Sequence, residues 1–278
     1  MRALWISLRQ DWIALVGHAI VAFSVLWTAT AALTHFFGWS ALKDVIWLYA
    51  IIIGSVGFSI YKLWRPSRVV IALPMSSVSV EVVFGDIFAQ SGVAAIPVNE
   101  FFDSEIGLPV SPKSLHGIFL QNVFGGHGDA FDRQIAARLA NVPADEVPRK
   151  QGKSTRYPIG TSAVIEASGK RYLAFAFAHT DITTCKAHAD VPQMFNALSG
   201  LWVNARATLN GDALNLPLVG SGLSGVGLPA RDLVNTIILS FIDETKRQIV
   251  AQKMRIILTW DRLSEVDLRE IQDSWGTH

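Results

Sequence analysis

Residues 216–229 read LPLVGSGLSGVGLP and join an apolar run, typical of a buried strand, to a stretch with helical periodicity. The four glycines between 220 and 227 let the backbone turn its N–H groups outward at close approach. The helix that follows would add its N-terminal dipole, which favours an anion such as a phosphate. The segment therefore predicts an α/β fold with an anion-binding turn. The alternative is a flexible glycine-serine loop that binds nothing.

A second glycine cluster lies at 125–130, where the chain reads GGHGDA before another helical stretch. Its glycines and the helix start repeat the chemistry of the first loop. Two such loops in one domain suit a diphosphate better than a monophosphate.

Two polar side chains follow early strands of the predicted domain. Asp86 comes directly after the run 78–84, in FGDIF, and Asn99 ends the run AIPVN. A carboxylate beside an apolar slot can accept hydrogen bonds from an adenine amino group. Asp86 is thus a candidate for base recognition, and the alternative is an ordinary turn aspartate.

Short β-rich runs alternate with helical stretches from about residue 78 to the C-terminus. This alternation predicts an α/β domain, a mixed sheet flanked by helices. Strands are predicted at 78–84, 93–98, 162–166, 172–178, 213–218 and 255–260, and helices at 128–139, 192–209 and 229–251.

Two long apolar runs occupy the first quarter of the chain, and neither 12–34 nor 45–61 contains Asp, Glu, Lys or Arg. At about 1.5 Å per residue, helices over 12–34 and 45–64 would each cross a hydrocarbon core of about 30 Å. Six of the nine tryptophans lie here, most of them near the ends of the runs, as in an interfacial belt. A two-helix transmembrane hairpin is predicted. A cleaved signal peptide is the alternative, although its apolar region would be shorter and no second run would follow.

The flanks of this hairpin predict its orientation. Basic residues lie on both sides of it, Arg2 and Arg9 before and Lys62, Arg65 and Arg68 after, whereas the turn holds Lys43 beside Asp44. Because cytoplasmic flanks carry the excess of Lys and Arg, both termini are predicted to be cytoplasmic. The expected location is the inner cell membrane, as a two-span multi-pass protein.

Charge and cysteine content exclude several classes. The net charge of +1 gives no basic field, so nucleic acid is not predicted as a partner. Cys185 is the one cysteine, so no intramolecular disulfide can form and nothing indicates an oxidising compartment.

Four residues of one short segment are candidates for a metal cluster: His179, Asp181, Cys185 and His188. Their spacing is not one of the strong zinc patterns. Neither a metal nor a cofactor is predicted.

Taken together, these motifs resemble the macro domain, an α/β module that binds ADP-ribose, over about residues 78–260. Gly-Asp-Ile at 85–87 is similar to the family's motif at an early strand end, and Asp86 to its adenine-selecting aspartate. Asn99 resembles the first amide of the family's Asn-Ala-Ala-Asn stretch beside the distal ribose. GGHGDAF resembles the first substrate loop, and GSGLSGVG resembles the diphosphate loop.

The resemblance implies a ligand site rather than a catalytic one. Its residues would be Asp86, Ile87, Asn99, Gly125, Gly126, His127, Gly128, Asp129, Val219, Gly220, Ser221, Gly222, Leu223, Ser224, Gly225 and Val226.

The sequence departs from the family at the distal end of this site. Asn99 is followed by Glu-Phe-Phe, so the second amide is missing, and residues 100–124 form a long insertion. Hydrolysis of an ADP-ribosyl bond needs the ribose held in a productive geometry. A receptor without enzymatic activity is therefore predicted. The alternative is a membrane-anchored ADP-ribosyl hydrolase or ADP-ribose reader, with Asn99 orienting the ribose and Asp129 as acid or base.

A transmembrane pair ahead of such a domain is similar to the membrane-anchored effectors of type II Thoeris, a bacterial anti-phage system. The resemblance implies that a TIR-domain partner makes an ADP-ribose derivative carrying histidine, which the macro domain binds. Ligand-induced homo-oligomerisation in the lipid bilayer, membrane disruption and abortive infection would follow. The chain is accordingly divided into a hairpin at 1–65, a linker at 66–77 and a nucleotide-binding domain at 78–278.

Overall fold

The computed structural model of the chain describes residues 5–6, 8–9, 11–39, 45–73, 77–223 and 225–276. Two compact units are present, one running up to Ser67 with residues 267–269 added, and one formed by Arg68–Val266 with the C-terminal residues. Arg2, Lys43 and Asp44, on which the orientation prediction partly depends, lie outside the described residues.

The first unit is a pair of long helices, α1 (Trp12–Phe37) and α2 (Val45–Leu63). No side chain of α1 is buried, whereas α2 buries Ile51, Ser55 and Ser59 along one stripe. The Ser59 hydroxyl donates to the Leu15 carbonyl of α1 at 2.5 Å, which ties the two helices together. Both helices are long and apolar enough to cross a membrane, as the sequence predicted.

The second unit is built on a sheet of eight strands. The strands of the described chain are β1 (Arg68–Ala72), β2 (Ser79–Phe84), β3 (Val93–Asn99), β4 (Asp145–Glu146), β5 (Thr155–Arg156), β6 (Ser162–Ala167), β7 (Lys170–Thr180), β8 (Ala187–His188), β9 (Leu214–Pro217) and β10 (Lys253–Leu258). Their order in the sheet is β1-β2-β10-β9-β3-β7-β6, with β8 paired to the end of β7, and β4 and β5 form a separate hairpin.

The five central strands of this sheet run parallel. β2, β10, β9, β3 and β7 share one direction, while β1 and β6 pair antiparallel at the two edges. The carboxyl ends of parallel strands meet at one edge of a sheet, which is where open α/β folds bind their ligands. Three of the predicted site motifs, at 85–87, 99 and 219–223, lie at this edge.

Helices cover both faces of the sheet, which gives the mixed α/β architecture that the sequence predicted. They are α3 (Leu115–Phe124), α4 (Asp129–Arg138), α5 (Val191–Thr208) and α6 (Ala230–Arg247), and a further helix, α7 (Leu268–Trp275), follows near the C-terminus. Phe119 of α3 and Phe131 of α4 pack with Ile96 of β3 in one fully buried cluster. Trp202 of α5 packs edge-on against Phe241 of α6, with ring centroids 5.4 Å apart. Burial of each such side chain contributes about 1.5–3 kcal/mol.

Two segments differ from the sequence-based prediction. The predicted linker at 66–77 contains β1, which pairs antiparallel with β2; its residues 74–76 lie outside the described residues. The alternation of RVVIA, with Val69 and Ile71 buried, is the signal of a half-buried edge strand.

The predicted insertion at 100–124 contains the helix α3. Ser114 caps this helix, since its side chain accepts a hydrogen bond from the Gly117 N–H, and Gly125 ends it in the left-handed conformation. A serine before an apolar stripe and a glycine after it are ordinary helix boundary signals.

Candidate functional site

A cavity of about 1190 Å³ opens at the carboxyl edge of the sheet. The exits of all five parallel strands contribute to its wall. This volume exceeds the roughly 300–1,000 Å³ of most ligand pockets, so an extended ligand fits better than a compact one.

Asp86 and Ile87 lie together in the wall after β2. Asp86 caps the short 3₁₀ helix Ile87–Ala89, because its Oδ1 accepts the Phe88 N–H at 2.9 Å. Its Oδ2 has no hydrogen-bond partner among the described residues, and the side chain is exposed. The cap thus holds one carboxylate oxygen in place. The other is available to a ligand, beside the buried apolar side chain of Ile87.

The first glycine loop forms another part of the wall, through residues 219–223. Gly220 has φ +82, and a Cβ there would come within 2.7 Å of the Val226 side chain, so the position requires glycine. The Val226 N–H donates to the Gly220 carbonyl at 2.9 Å, and the Gly225 N–H donates to the Gly222 carbonyl at 3.1 Å. These bonds close the loop on itself and leave residues 219–223 against the cavity.

Two of the last predicted residues of this loop, Gly225 and Val226, are placed differently. Gly225 and Val226 hold the loop closed and are not part of the wall. Ser224 lies outside the described residues.

Asn99 lines the cavity at the end of β3, but its amide is engaged within the protein. Its Nδ2 donates to Asp103 Oδ2 at 2.7 Å, and its Oδ1 accepts the Asp103 N–H at 3.1 Å. Asp103 is fully buried and pairs with Arg149, which is also fully buried. The predicted ribose-contacting amide therefore stabilises the turn that starts the inserted segment.

The second glycine cluster is placed away from the cavity. None of the five residues predicted there, Gly125, Gly126, His127, Gly128 and Asp129, is part of the wall. Gly126 donates its N–H to the Leu120 carbonyl at 3.0 Å, and a Cβ on Gly128 would come within 2.5 Å of Ser104. The glycines make the tight turn between α3 and α4. The start of α3 lines the cavity where this loop was expected to do so.

Residues that sequence reasoning missed complete the wall. The inserted segment contributes residues 107–111 and the beginning of α3, including Ser114 and His116. Residues 184–187 and Arg262 line it as well. The cap at Ser114 was a readable signal, whereas the position of Arg262 depends on the return of β10 to the centre of the sheet.

The four candidate metal ligands do not converge. Asp181 Oδ1 accepts hydrogen bonds from the N–H and hydroxyl of Thr184, and these bonds hold the pKa of Asp181 below its usual value. His179 Nδ1 lies 2.7 Å from Glu100 Oε2. Within the described ranges, no group of three or more such side chains is placed to hold a metal ion.

The comparisons with known proteins decide the family. The family model described as "Thoeris protein ThsA, Macro domain" matches residues 80–259, which is well over half of the chain. The chain belongs to the ThsA macro-domain family. No curated protein sequence matches it.

Solved macrodomains are among the structures similar to this ThsA-family chain. The Oceanobacillus iheyensis macrodomain with ADP shares 12% identity at a TM-score of 0.47, covering 75% of this chain and 100% of that one. A mutant of the same macrodomain shares 11% at 0.48 with the same coverage. The Trypanosoma brucei macrodomain shares 10% at 0.45, covering 72% of this chain and 70% of that one.

His116 gives the ThsA macro domain a specific pH dependence. Its ring is buried and its Nε2 has no hydrogen-bond partner among the described residues. Burial is the larger cause and the nearby ammonium of Lys153 the smaller one, and together they lower the pKa of His116 from 6.5 to about 3. His116 therefore binds a proton near pH 6.5 in the unfolded chain but only near pH 3 in the folded chain. The contribution of the neutral ring is fully present above pH 6.5 and is lost as the pH falls, at up to about 1.4 kcal/mol per unit.

We expect His116→Leu to abolish this slope while leaving stability near neutral pH almost unchanged, because no hydrogen bond of Nε2 is removed. The measurement is chemical denaturation of both proteins at about pH 7 and about pH 5, where the wild type should lose about 2 kcal/mol more than the variant. Equal losses of stability in the two proteins would show that the pKa of His116 is not lowered in the folded state.

Proposed function

We propose that this chain is a membrane-bound effector of anti-phage defence whose macro domain binds an ADP-ribose-derived signal. The observation that carries the proposal is one cavity that joins the Asp86 carboxylate to the glycine loop at 219–223. An aspartate beside a buried apolar side chain suits adenine, and a glycine loop in the wall of the same cavity suits a diphosphate, because glycines let backbone N–H groups approach a phosphate closely. The signal is histidine-ADP-ribose made by a TIR-domain partner, as the family resemblance implies.

The adenine would lie against Ile87, with its amino group donating to Asp86 Oδ2. The diphosphate would then follow residues 219–223, and the distal ribose with its substituent would reach the segment 107–116. The large volume supports a ligand longer than ADP-ribose, and the inserted segment lines the cavity through residues 107–111 and 113–116. The histidine substituent would lie against this segment.

The domain binds this ligand without cleaving it. The Asn99 amide, which would orient the ribose for hydrolysis, is already bonded to Asp103 on both its donor and its acceptor side. Asp129, the alternative acid or base, is not in the cavity wall. Both observations support a receptor rather than a hydrolase, because general acid-base catalysis requires the group within hydrogen-bond reach of the reacting atoms.

Binding is transmitted to the membrane through assembly. Two helices are too few to enclose a route across a bilayer, so several copies must associate for the hairpins to disrupt it. A ligand shifts such an equilibrium only by its differential affinity for the assembled state. The histidine conjugate therefore binds the oligomer more tightly than the monomer, with both termini in the cytoplasm where the signal is made.

Calorimetric titration of the full-length chain in detergent micelles tests this function. ADP-ribose and its histidine conjugate are titrated separately, each mixture is assayed for hydrolysis products, and the oligomer size is followed by light scattering. We expect the conjugate to bind about tenfold or more tightly than ADP-ribose, a difference of about 1.4 kcal/mol, to remain intact and to increase the particle mass.

The other outcomes are equally specific. Release of free ADP-ribose from the conjugate would favour the hydrolase over the receptor. Binding of both ligands with equal affinity and no change of mass would leave an ADP-ribose reader. The absence of heat with either ligand would contradict the assignment of the cavity.

A further inference from the structure

Arg262 lies in the cavity wall beside the glycine loop, in the short 3₁₀ helix Trp260–Ser264 that follows β10. Its Nη2 donates to the Ser221 carbonyl at 3.0 Å. The guanidinium is thus anchored to the middle of the loop that lines the cavity through residues 219–223. The family match ends at residue 259, so this residue lies beyond the matched range.

The remaining contacts of Arg262 hold it in place without using all its donors. Nη1 donates to Glu265 Oε2 at 2.7 Å, and Nε lies 3.7 Å from Asp261 Oδ2, which is too far for a hydrogen bond. A guanidinium has five N–H donors, and the described residues accept two of them. The side chain is 29% exposed, and no described residue accepts a hydrogen bond from the other three donors.

We infer that the Arg262 side chain binds the diphosphate together with the glycine loop, and that it selects ligands that carry a diphosphate. This inference rests on the proposed function and adds to it the residue that supplies positive charge. Backbone N–H groups bring partial charges only, whereas a diphosphate carries full negative charges that an arginine fork can meet with two parallel hydrogen bonds. Glu265 and the Ser221 carbonyl fix the fork before the ligand arrives, so little side-chain freedom is lost on binding.

The other cations of the wall are less suited to this role. Lys113 and Lys186 line the cavity from the inserted segment and from the loop after β7, and both are exposed. In the part of the chain that the structure describes, Arg262 is the cationic wall residue that is bonded to the glycine loop.

The test compares adenosine, ADP and ADP-ribose on the full-length chain in detergent, for wild type, Arg262→Gln and Arg262→Lys. The glutamine variant should bind ADP and ADP-ribose roughly 10- to 100-fold more weakly, the range of one charged hydrogen-bonded contact, and adenosine unchanged. The lysine variant should recover part of the loss, because it restores the charge without the fork. Arg247→Gln is the matched control, since Arg247 is 73% exposed at the end of α6 and is not in the wall.

Each other result overturns the inference in a distinguishable way. Equal losses for adenosine and ADP would mean that Arg262 only supports the loop, and full affinity of the glutamine variant would exclude it from the site. If wild type binds ADP-ribose in either case, the proposed function survives. A wild type that binds none of the three would overturn the proposed function and this inference with it.

Discussion

Gly222→Glu is expected to abolish nucleotide binding by the macro domain without unfolding it. Gly222 lies in the cavity wall, and a Cβ added there meets no atom within 4 Å, so the fold tolerates a side chain. The new carboxylate would stand where the proposed function places the diphosphate. At an effective dielectric of about 20, two like charges about 4 Å apart repel by about 4 kcal/mol, which corresponds to a loss of affinity of at least about 100-fold after partial screening.

The neutral variant Gly222→Gln separates charge from size in this experiment. It has the same shape as the glutamate and should lose no more than about tenfold, since an open site accommodates the bulk. The measurement is calorimetric affinity for ADP-ribose together with the thermal unfolding midpoint of each variant. Full affinity of Gly222→Glu at an unchanged midpoint would remove the glycine loop from the site. Equal losses in both variants would mean that bulk, not charge, is excluded.

The elements that the sequence predicted well are those that carry a local signal. α6 repeats Leu233, Ile237 and Phe241 at helical spacing, and all three are fully buried on one face. The strands of the central sheet are short apolar runs bounded by turns, a pattern that marks a buried strand in the sequence. The glycine loop at 220–227 was recognisable because its conformation is encoded in the glycines themselves.

The parts that the sequence did not predict depend on partners distant in the chain. β1 carries the alternation of a half-buried edge strand, but its place at the edge of the sheet depends on its pairing with β2. The two glycine clusters read alike, yet only the first one follows a central strand that ends at the cavity. Whether a glycine turn binds an anion or joins two helices is decided by where the preceding element ends.

The role of Asn99 shows the same limit at a single residue. The amide at the end of β3 was readable as a ligand contact, because the motif around it resembles one. Its bonds to Asp103, and the pairing of Asp103 with Arg149, 46 residues further on, could not be read from the sequence. The inserted segment thus has an ionic anchor of its own.

Asp103→Asn is expected to destabilise the macro domain by about 3–5 kcal/mol, which is the cost of leaving the buried charge of Arg149 without its partner. Both side chains of the pair are fully buried, and Asp103 also accepts the Lys153 N–H at 2.8 Å. The Arg149 guanidinium lies 3.8 Å from the centre of the Phe101 ring, which covers one of its faces and keeps water away from the charge. An asparagine would in addition turn a donor toward the Asn99 amide, which already donates there.

The exposed pair of Arg156 with Asp145 provides the matched control, since Asp145→Asn removes the same charge where solvent screens it. Unfolding followed by tryptophan fluorescence should show a large loss for Asp103→Asn and no measurable loss for Asp145→Asn. Equal stabilities would contradict the anchoring role of the buried pair. Because the anchored segment also forms the distal wall of the cavity, Asp103→Asn should weaken ligand binding together with stability. Gly222→Glu weakens binding alone, so the two variants distinguish a residue that shapes the cavity from one that faces the ligand.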